Sequence, residues 1–310
     1  MDCWNLPSRP RLSRFLTKLW IPIRANLRIL SFGGNLPQYR TLIESKPAFQ
    51  ALKELQMEFN SRDRIAQQRS DGVTLLKVVV PFVRMPKPQL ESLRVSSSAT
   101  LDFSPFFKQL GPFLTLEVLD IYSNFGPNQA GISEILQHTL TLDYLTLQII
   151  PNDWLIRCFV DSQCLPRLHN LTIQDPATGL EVIQLFIHSA SATLEEICIE
   201  NRYFQTSQAI TIIETLSLCP NLISLKIKVI RLTVQLLNLL ASCLPRLRRL
   251  SISCQEPRRS GLYYDVGSYN LFQYSTLLTF SVSILSGPQE VHSCTLGLER
   301  FIPLWTFPAF

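Results

Sequence analysis

One template, L-x-x-L-x-(I/L/V/F), recurs along almost the whole 310-residue chain. Its copies are spaced by 25, 38, 26, 26, 26, 26, 28, 25 and 30 residues. Four consecutive spacings of 26 are not expected from leucine abundance alone, although Leu fills 51 of the 310 positions. The first Leu of each copy is Leu27, Leu52, Leu90, Leu116, Leu142, Leu168, Leu194, Leu222, Leu247 or Leu277.

A period of about 20–29 residues with this signature is typical of the leucine-rich repeat, in which each unit contributes one strand to a stacked array. The apolar residues at positions 1, 4 and 6 are expected to point into the core, and the residues between them to face outward. We therefore predict an α/β solenoid of about ten repeats. The strands should lie parallel on the concave face of a right-handed arc, with helices on the convex face.

The segments between the strands show helical spacing of apolar residues. They are Ile132–Leu140, Trp154–Val160, Leu180–His188, Ala209–Leu218 and Val234–Ala241. The long gap of 38 residues holds one further strand candidate, Leu75–Val80. Asn occupies position 9 of the repeat only at Asn35, Asn60 and Asn124, so most turns after the strands must satisfy their backbone groups in another way.

The repeats define the expected domain organisation. We predict a basic N-terminal segment or cap over residues 1–20, the solenoid over residues 21–285, and a C-terminal cap or irregular tail over residues 286–310. A terminal repeat exposes apolar surface unless a cap covers it.

The units TLDYLTL, CLPRLHNLTI and CLPRLRRLSI resemble the leucine-rich repeats of fungal F-box proteins, especially the large family of mushroom-forming fungi. The segment PQLESLRV is a further likeness, and together the resemblance covers roughly residues 20–285. It implies a substrate-recognition chain of a cullin-RING ubiquitin ligase, in which an F-box recruits the ligase adaptor and the repeats hold the target. The F-box itself is not visible: Leu6-Pro7 is followed by a basic run, and the first strand is already expected near Leu27.

Composition and motifs exclude several classes of protein. With 17% charged and 46% hydrophobic residues the bulk of the chain is not expected to be disordered, and it has no apolar run long enough to cross a bilayer. Eight cysteines without a C-x-x-C pair, and no signal peptide, predict reduced thiols in the cytoplasm or nucleus. No catalytic, phosphate-binding or metal-ligand motif occurs, so we expect neither enzymatic activity nor a cofactor or metal site. Cys158, Cys198 and Cys294 have no base assigned by the sequence that would activate them as nucleophiles.

Function in a solenoid is expected on the strand face, at the outward positions of the template. The surface should be acidic in the middle and basic toward the C-terminal end, with aromatic residues beside the acids. The alternative is that these are ordinary solvated strand residues, paired across strands for solubility. The candidate partner-binding residues are Glu117, Asp120, Tyr122, Asp143, Tyr144, His169, Glu195, Glu196, Glu200, Lys226, Lys228, Arg248 and Arg249.

We expect a non-catalytic protein-binding scaffold that acts as a monomer. Its partner would be a protein on the concave face. If the chain is a ligase receptor, the cullin-ligase adaptor would be a second partner. The alternative is a free-standing interaction module with no role in ubiquitin transfer. A net charge of +5 is mild, and the basic group Arg246, Arg248, Arg249, Arg258 and Arg259 lacks interleaved aromatic residues, so nucleic acid is not the expected partner.

Overall fold

A computed structural model of the chain describes residues 25–35, 49–59, 75–97, 103–122, 140–148, 165–174 and 180–254. It also describes Lys18, Ile23, residues 38–40 and Ile43, and the backbone of two C-terminal strands at 279–286 and 290–296. The predicted helices Ile132–Leu140 (apart from Leu140) and Trp154–Val160 lie outside these residues, as do Asn60, Asn124, Cys158, Arg258 and Arg259. The predicted N-terminal segment, apart from Lys18, lies outside them as well.

The strands form one eleven-stranded sheet in which the spatial order follows the chain. Neighbours from β1 to β10 pair in parallel, and the last strand, β11 (Glu290–Leu296), pairs antiparallel with β10. The ten parallel strands are β1 (Ile29–Gly34), β2 (Glu54–Phe59), β3 (Ser92–Ser97), β4 (Val118–Tyr122), β5 (Tyr144–Gln148), β6 (Asn170–Gln174), β7 (Glu196–Glu200), β8 (Ser224–Val229), β9 (Arg249–Cys254) and β10 (Thr279–Ser286). Each starts two residues after the first Leu of its template, so the predicted α/β leucine-rich-repeat solenoid is confirmed.

Five α-helices lie in the described ranges. They are α1 (Val80–Arg84), α2 (Ser104–Leu110), α3 (Leu180–Ala190), α4 (Thr206–Leu216) and α5 (Val234–Cys243). The last three match predicted helices, and each connects one parallel strand to the next. The Thr233 hydroxyl accepts a hydrogen bond of 3.2 Å from the Leu236 N–H and so caps α5.

The additional strand predicted at Leu75–Val80 is wrong. Leu75–Val79 form a π-helical turn that continues directly into α1. Leu75, Val79, Phe82 and Val83 are buried, at the spacing of one helix face, and Pro81 is the second residue of α1. A short apolar run fits a buried strand and a buried helix equally well, and here the run continues into a helix.

The core is a single cluster between the strands and helices. Leu116, Leu119 and Ile121 of one template are each 0% exposed, which confirms that positions 1, 4 and 6 point inward. Toward the N-terminal end the core is aromatic: Tyr39 packs on Phe32 and Phe59, each at 4.6 Å between ring centroids. The Tyr39 hydroxyl donates to the carbonyls of Phe32 and Glu58, at 2.6 and 3.1 Å, which satisfies a buried polar group.

In six of the repeats a polar side chain forms a hydrogen bond to the repeat before it. The residue that precedes the first Leu is Thr115, Thr141 or Thr193 in three copies, and its hydroxyl donates to the carbonyl of Leu90, Leu116 or Leu168 at 3.0, 2.6 or 2.8 Å. Gln89, Asn221 and Arg246 occupy the same position and donate to Phe49, Ala192 and Pro220. These bonds satisfy backbone carbonyls that precede six of the strands.

Candidate interaction surface on the strand face

The outward residues of β1–β9 form three rows across the sheet, which we call the strand face. A fourth row precedes the strands, and each of its residues follows the first Leu of a template. The carbonyls of its members from Arg28 to Ile223 each accept two backbone N–H bonds from the next repeat. We call this row, from Arg28 to Arg248, the leading edge. Of the candidate residues, the leading edge holds Glu117, Asp143, His169, Glu195 and Arg248; the first strand row holds Tyr144, Glu196 and Arg249; the second holds Asp120 and Lys226; and the third holds Tyr122, Glu200 and Lys228.

Asp120 is held within the sheet. Its side chain is 9% exposed, and its carboxylate accepts bonds from Nη2 and Nε of Arg94 on β3 at 2.6 and 2.8 Å. The same hydrogen bond raises the pKa of Arg94. Arg94 was not among the candidate residues, and the structure makes it the partner that permits a carboxylate to be buried there.

Two further acids pair with bases on neighbouring strands. Glu200 of β7 accepts a bond of 2.7 Å from the Lys226 ammonium on β8, and this bond lowers the pKa of the carboxyl group and raises that of the lysine. At the leading edge the Asp143 carboxylate contacts Nδ1 of His169 on the next repeat. Both pairs join strands that are adjacent in the sheet, as the periodicity places them.

A longer pair crosses two strand intervals. The Arg249 guanidinium on β9 reaches the Glu196 carboxylate on β7, passing over Ser224 of β8. The predicted change of sign along the face is therefore offset locally, because acids of β7 are bound to bases of β8 and β9. A partner that approaches this end of the sheet meets ion pairs rather than a uniformly acidic or basic field.

The middle of the strand face carries fewer charged side chains than its C-terminal end. Across β4–β6 the outward side chains are uncharged except for the buried Asp120, and Tyr144 is 47% exposed. Tyr122 is half-buried and bonded to Thr146, and burial raises its pKa. We call this area the central patch. Its members are Tyr122, Tyr144, Thr146, Gln148, Asn170, Thr172 and Gln174.

Sequence reasoning missed an excursion of the chain after β7. Pairing with β8 ends at Cys198 and Lys226, and the chain returns at Phe204, which bridges Val229 through bonds to Lys228 and Ile230 of 3.0 and 2.8 Å. Asn201, in the left-handed region at φ 63°, makes the bend. The spacing of 28 residues from Leu194 to Leu222, two above the usual 26, was the signal for this insertion.

The excursion places Tyr203 beside a candidate residue. The Lys228 ammonium lies 5.8 Å from the centre of the Tyr203 ring, and the Arg202 guanidinium lies 5.3 Å from that of Phe204. These cation–π contacts hold the cationic side chains against the sheet. Lys228, in the third row, therefore has Tyr203 as an aromatic neighbour, and Tyr203 lies outside the repeat template.

Thiol and metal chemistry find little support in the described ranges. Burial raises the pKa of Cys198 to about 12 and those of Cys219 and Cys254 to about 11, so these thiols stay protonated at neutral pH. No three His, Cys, Asp or Glu residues in the same part of the chain are grouped closely enough to hold a metal ion. None of the helices described there is long and apolar enough to span a bilayer.

Comparisons with known proteins give likenesses of fold. No protein-family profile and no curated protein sequence matches the chain. A chain in the crystal structure of the yeast Rad7–Elc1 complex is similar over 84% of this chain and 87% of its own length, at 14% identity and a TM-score of 0.29. A chain in the crystal structure of the TLR13–ssRNA13 complex is similar over 76% of this chain and 37% of its own length, at 14% identity and a TM-score of 0.37.

Proposed function

We propose that the chain is a non-catalytic protein-binding scaffold whose partner is a protein that lies on the strand face. The observation that carries this proposal is the central patch. It is an uncharged area with two tyrosines, and the ion pairs Arg94–Asp120 and Glu200–Lys226 lie on either side of it.

The cores of protein interfaces are depleted in charged residues and enriched in tyrosine, whereas their rims are polar. Removing an unpaired charge from water costs free energy, and a surface whose charges are bound in pairs avoids much of that cost on association. Tyr144 offers a large, partly exposed ring with few rotatable bonds, which is the kind of side chain that dominates binding energy. The polar groups of Gln148, Asn170 and Gln174 supply hydrogen bonds around it.

The size of the face fits such a role. Eight strand intervals from β1 to β9, at about 4.8 Å each, span about 38 Å. A standard interface buries about 800 Å² on each partner, which exceeds the three strands of the central patch. The partner must therefore also cover the ion pairs on β3 and on β7–β9, where Arg94, Glu196, Glu200, Lys226 and Arg249 lie.

The test is capture of partners from cells of the source organism with the tagged chain, followed by binding measurements on the purified pair. A photo-crosslinking amino acid at position 144 should join to the partner, and the same residue at position 114 should not. Tyr144→Ala should weaken binding by about tenfold or more, as expected for a central aromatic residue. Leu114→Ala is the control, because Leu114 is 78% exposed but lies outside the strand face. Equal crosslinking at both positions, with no effect of Tyr144→Ala, would contradict the proposal.

Within this scaffold class we propose the more specific role of substrate recognition for a cullin-RING ubiquitin ligase. Its support is the resemblance of the repeats to those of fungal F-box proteins. Recovery of the ligase adaptor in the same capture, with Tyr144→Ala releasing the target but not the adaptor, is the expected result. Capture of a target without the adaptor would favour the free-standing interaction module.

A further inference from the structure

A cleft of about 440 Å³ lies at the leading edge where β7, β8 and β9 begin. Glu195 stands on one side, and Arg246 and Arg248 stand on the other. Ile223 and Pro245 supply its apolar lining, and Asn221 completes it. No candidate function assigned above uses this cleft as a unit.

An acid on β7 and a base on β9 recur in two neighbouring rows of the sheet, but they form an ion pair in only one of the two rows. In the first strand row, Glu196 and Arg249 pair across Ser224. One residue earlier, at the leading edge, Glu195 and Arg248 stand at equivalent positions on either side of Ile223. In the described part of the chain these two side chains have no ion-pair partner within 4.0 Å. The difference lies in the residue between them, because a branched Ile side chain occupies space that a Ser leaves open.

The cleft therefore keeps opposite charges apart. Arg246 adds a second guanidinium to the basic side of the cleft. It donates one of its five N–H groups to the Pro220 carbonyl, at 3.2 Å. Asn221 is fixed by its bond of 2.9 Å to the Ala192 carbonyl. A ligand that complements this arrangement must carry both a cationic and an anionic group.

We propose that the cleft binds an extended segment of the protein partner in which a basic and an acidic side chain stand two residues apart. This inference rests on the proposed function and names the chemistry of the bound segment. In an extended chain, residues i and i+2 lie on one face about 6.8 Å apart. Glu195 and Arg248 lie two strand intervals apart, about 9.6 Å, so long side chains span the difference. The stem of a bound Lys or Arg can cover Ile223 and Pro245.

The test uses fluorescein-labelled heptapeptides with Gly-Ser flanks and a Lys-Ala-Glu, Lys-Ala-Lys or Glu-Ala-Glu centre, measured by anisotropy at low salt. The mixed peptide should bind the full chain about fivefold or more tightly than either like-charged peptide. Glu195→Lys should shift the preference to Glu-Ala-Glu, because all three charges in the cleft then become positive. Glu214→Lys, the same change of charge at an exposed position of α4 outside the strand face, should leave the preference unaltered.

A second variant tests the role of the intervening residue without altering the net charge. Ile223→Ser should allow Glu195 and Arg248 to form an ion pair, as Glu196 and Arg249 do across Ser224. It should therefore weaken binding of the mixed peptide by about fivefold. Wild-type preference for Glu-Ala-Glu, no saturable binding of the mixed peptide up to about 1 mM, or undiminished binding to Ile223→Ser would each overturn the inference. If a captured partner binds both cleft variants normally yet loses affinity with Tyr144→Ala, the inference fails while the proposed function stands.

Discussion

Asp120 shows how a single residue can look like a binding site in the sequence and serve the fold in the structure. Its carboxylate is almost fully buried and depends on Arg94, whose side chain is 47% exposed. We expect Arg94→Met to lower the free energy of unfolding by about 2 kcal/mol, below the usual cost of breaking a buried pair because Arg94 is partly solvated. Urea denaturation would measure it, and the loss should shrink by at least half in an Asp120→Asn background. An equal loss in both backgrounds would mean that Arg94 acts through packing alone.

The threonines before the first Leu are a second case at this scale. Thr141→Val keeps the shape of the side chain but leaves the Leu116 carbonyl without its bond of 2.6 Å. We expect a loss of about 1 kcal/mol in the free energy of unfolding, because a part-buried carbonyl loses its donor. Thr211→Val is the matched control, since the Thr211 hydroxyl donates to the Ser207 carbonyl of its own helix rather than to a neighbouring repeat. A control that loses as much stability as Thr141→Val would show that the hydroxyl bond between repeats contributes no more to the free energy of unfolding than one within a helix.

At the scale of elements, the ten parallel strands were predictable, whereas β11 and the helices α1 and α2 were not. Every parallel strand follows its template because the apolar residues at positions 1 and 4 must enter one shared core, and the period fixes where they meet. The strand prediction at Leu75–Val80 failed because five apolar residues around one lysine carry no alternation that distinguishes a buried strand from a buried helix. The excursion at Asn201 left only a small trace, two extra residues in one spacing, and its return to β8 depends on a non-local bridge.

The backbone at Asn201 gives the prediction for this excursion. Asn tolerates φ 63°, Gly adopts it freely, and a β-branched residue does not. Asn201→Gly should leave the free energy of unfolding within about 0.5 kcal/mol, whereas Asn201→Val should lower it by about 1–2 kcal/mol. The control is Ser251→Val, at an outward position of β9 where an extended backbone accepts Val. If the two Val variants are equally stable, the left-handed conformation is not required for Phe204 to reach Val229.

At the scale of the whole molecule, the rows of the strand face follow from strand alternation alone. The pairing within them does not. The periodicity places Glu200 and Lys226 on neighbouring strands, but it cannot reveal that Arg249 reaches over Ser224 while Arg248 is separated from Glu195 by Ile223. Those outcomes depend on side-chain length and bulk at one intervening position. The sequence therefore indicates where the surface lies, and the structure determines which of its charges are available to a partner.

The linear stacking of repeats gives the last prediction. Each strand contacts only its two neighbours, so a central defect should disrupt the array and a terminal one should fray its end. Leu171→Ala in β6, at a position 1% exposed, should cost about 3 kcal/mol and speed amide exchange from β4 to β8. Leu30→Ala in β1, at a position 8% exposed, should speed exchange only in β1 and β2. Mass-spectrometric hydrogen exchange on both variants compares them directly. Faster exchange confined to β6 in the first variant would mean that the repeats unfold independently, and the strand face could then not act as one preformed surface for its partner.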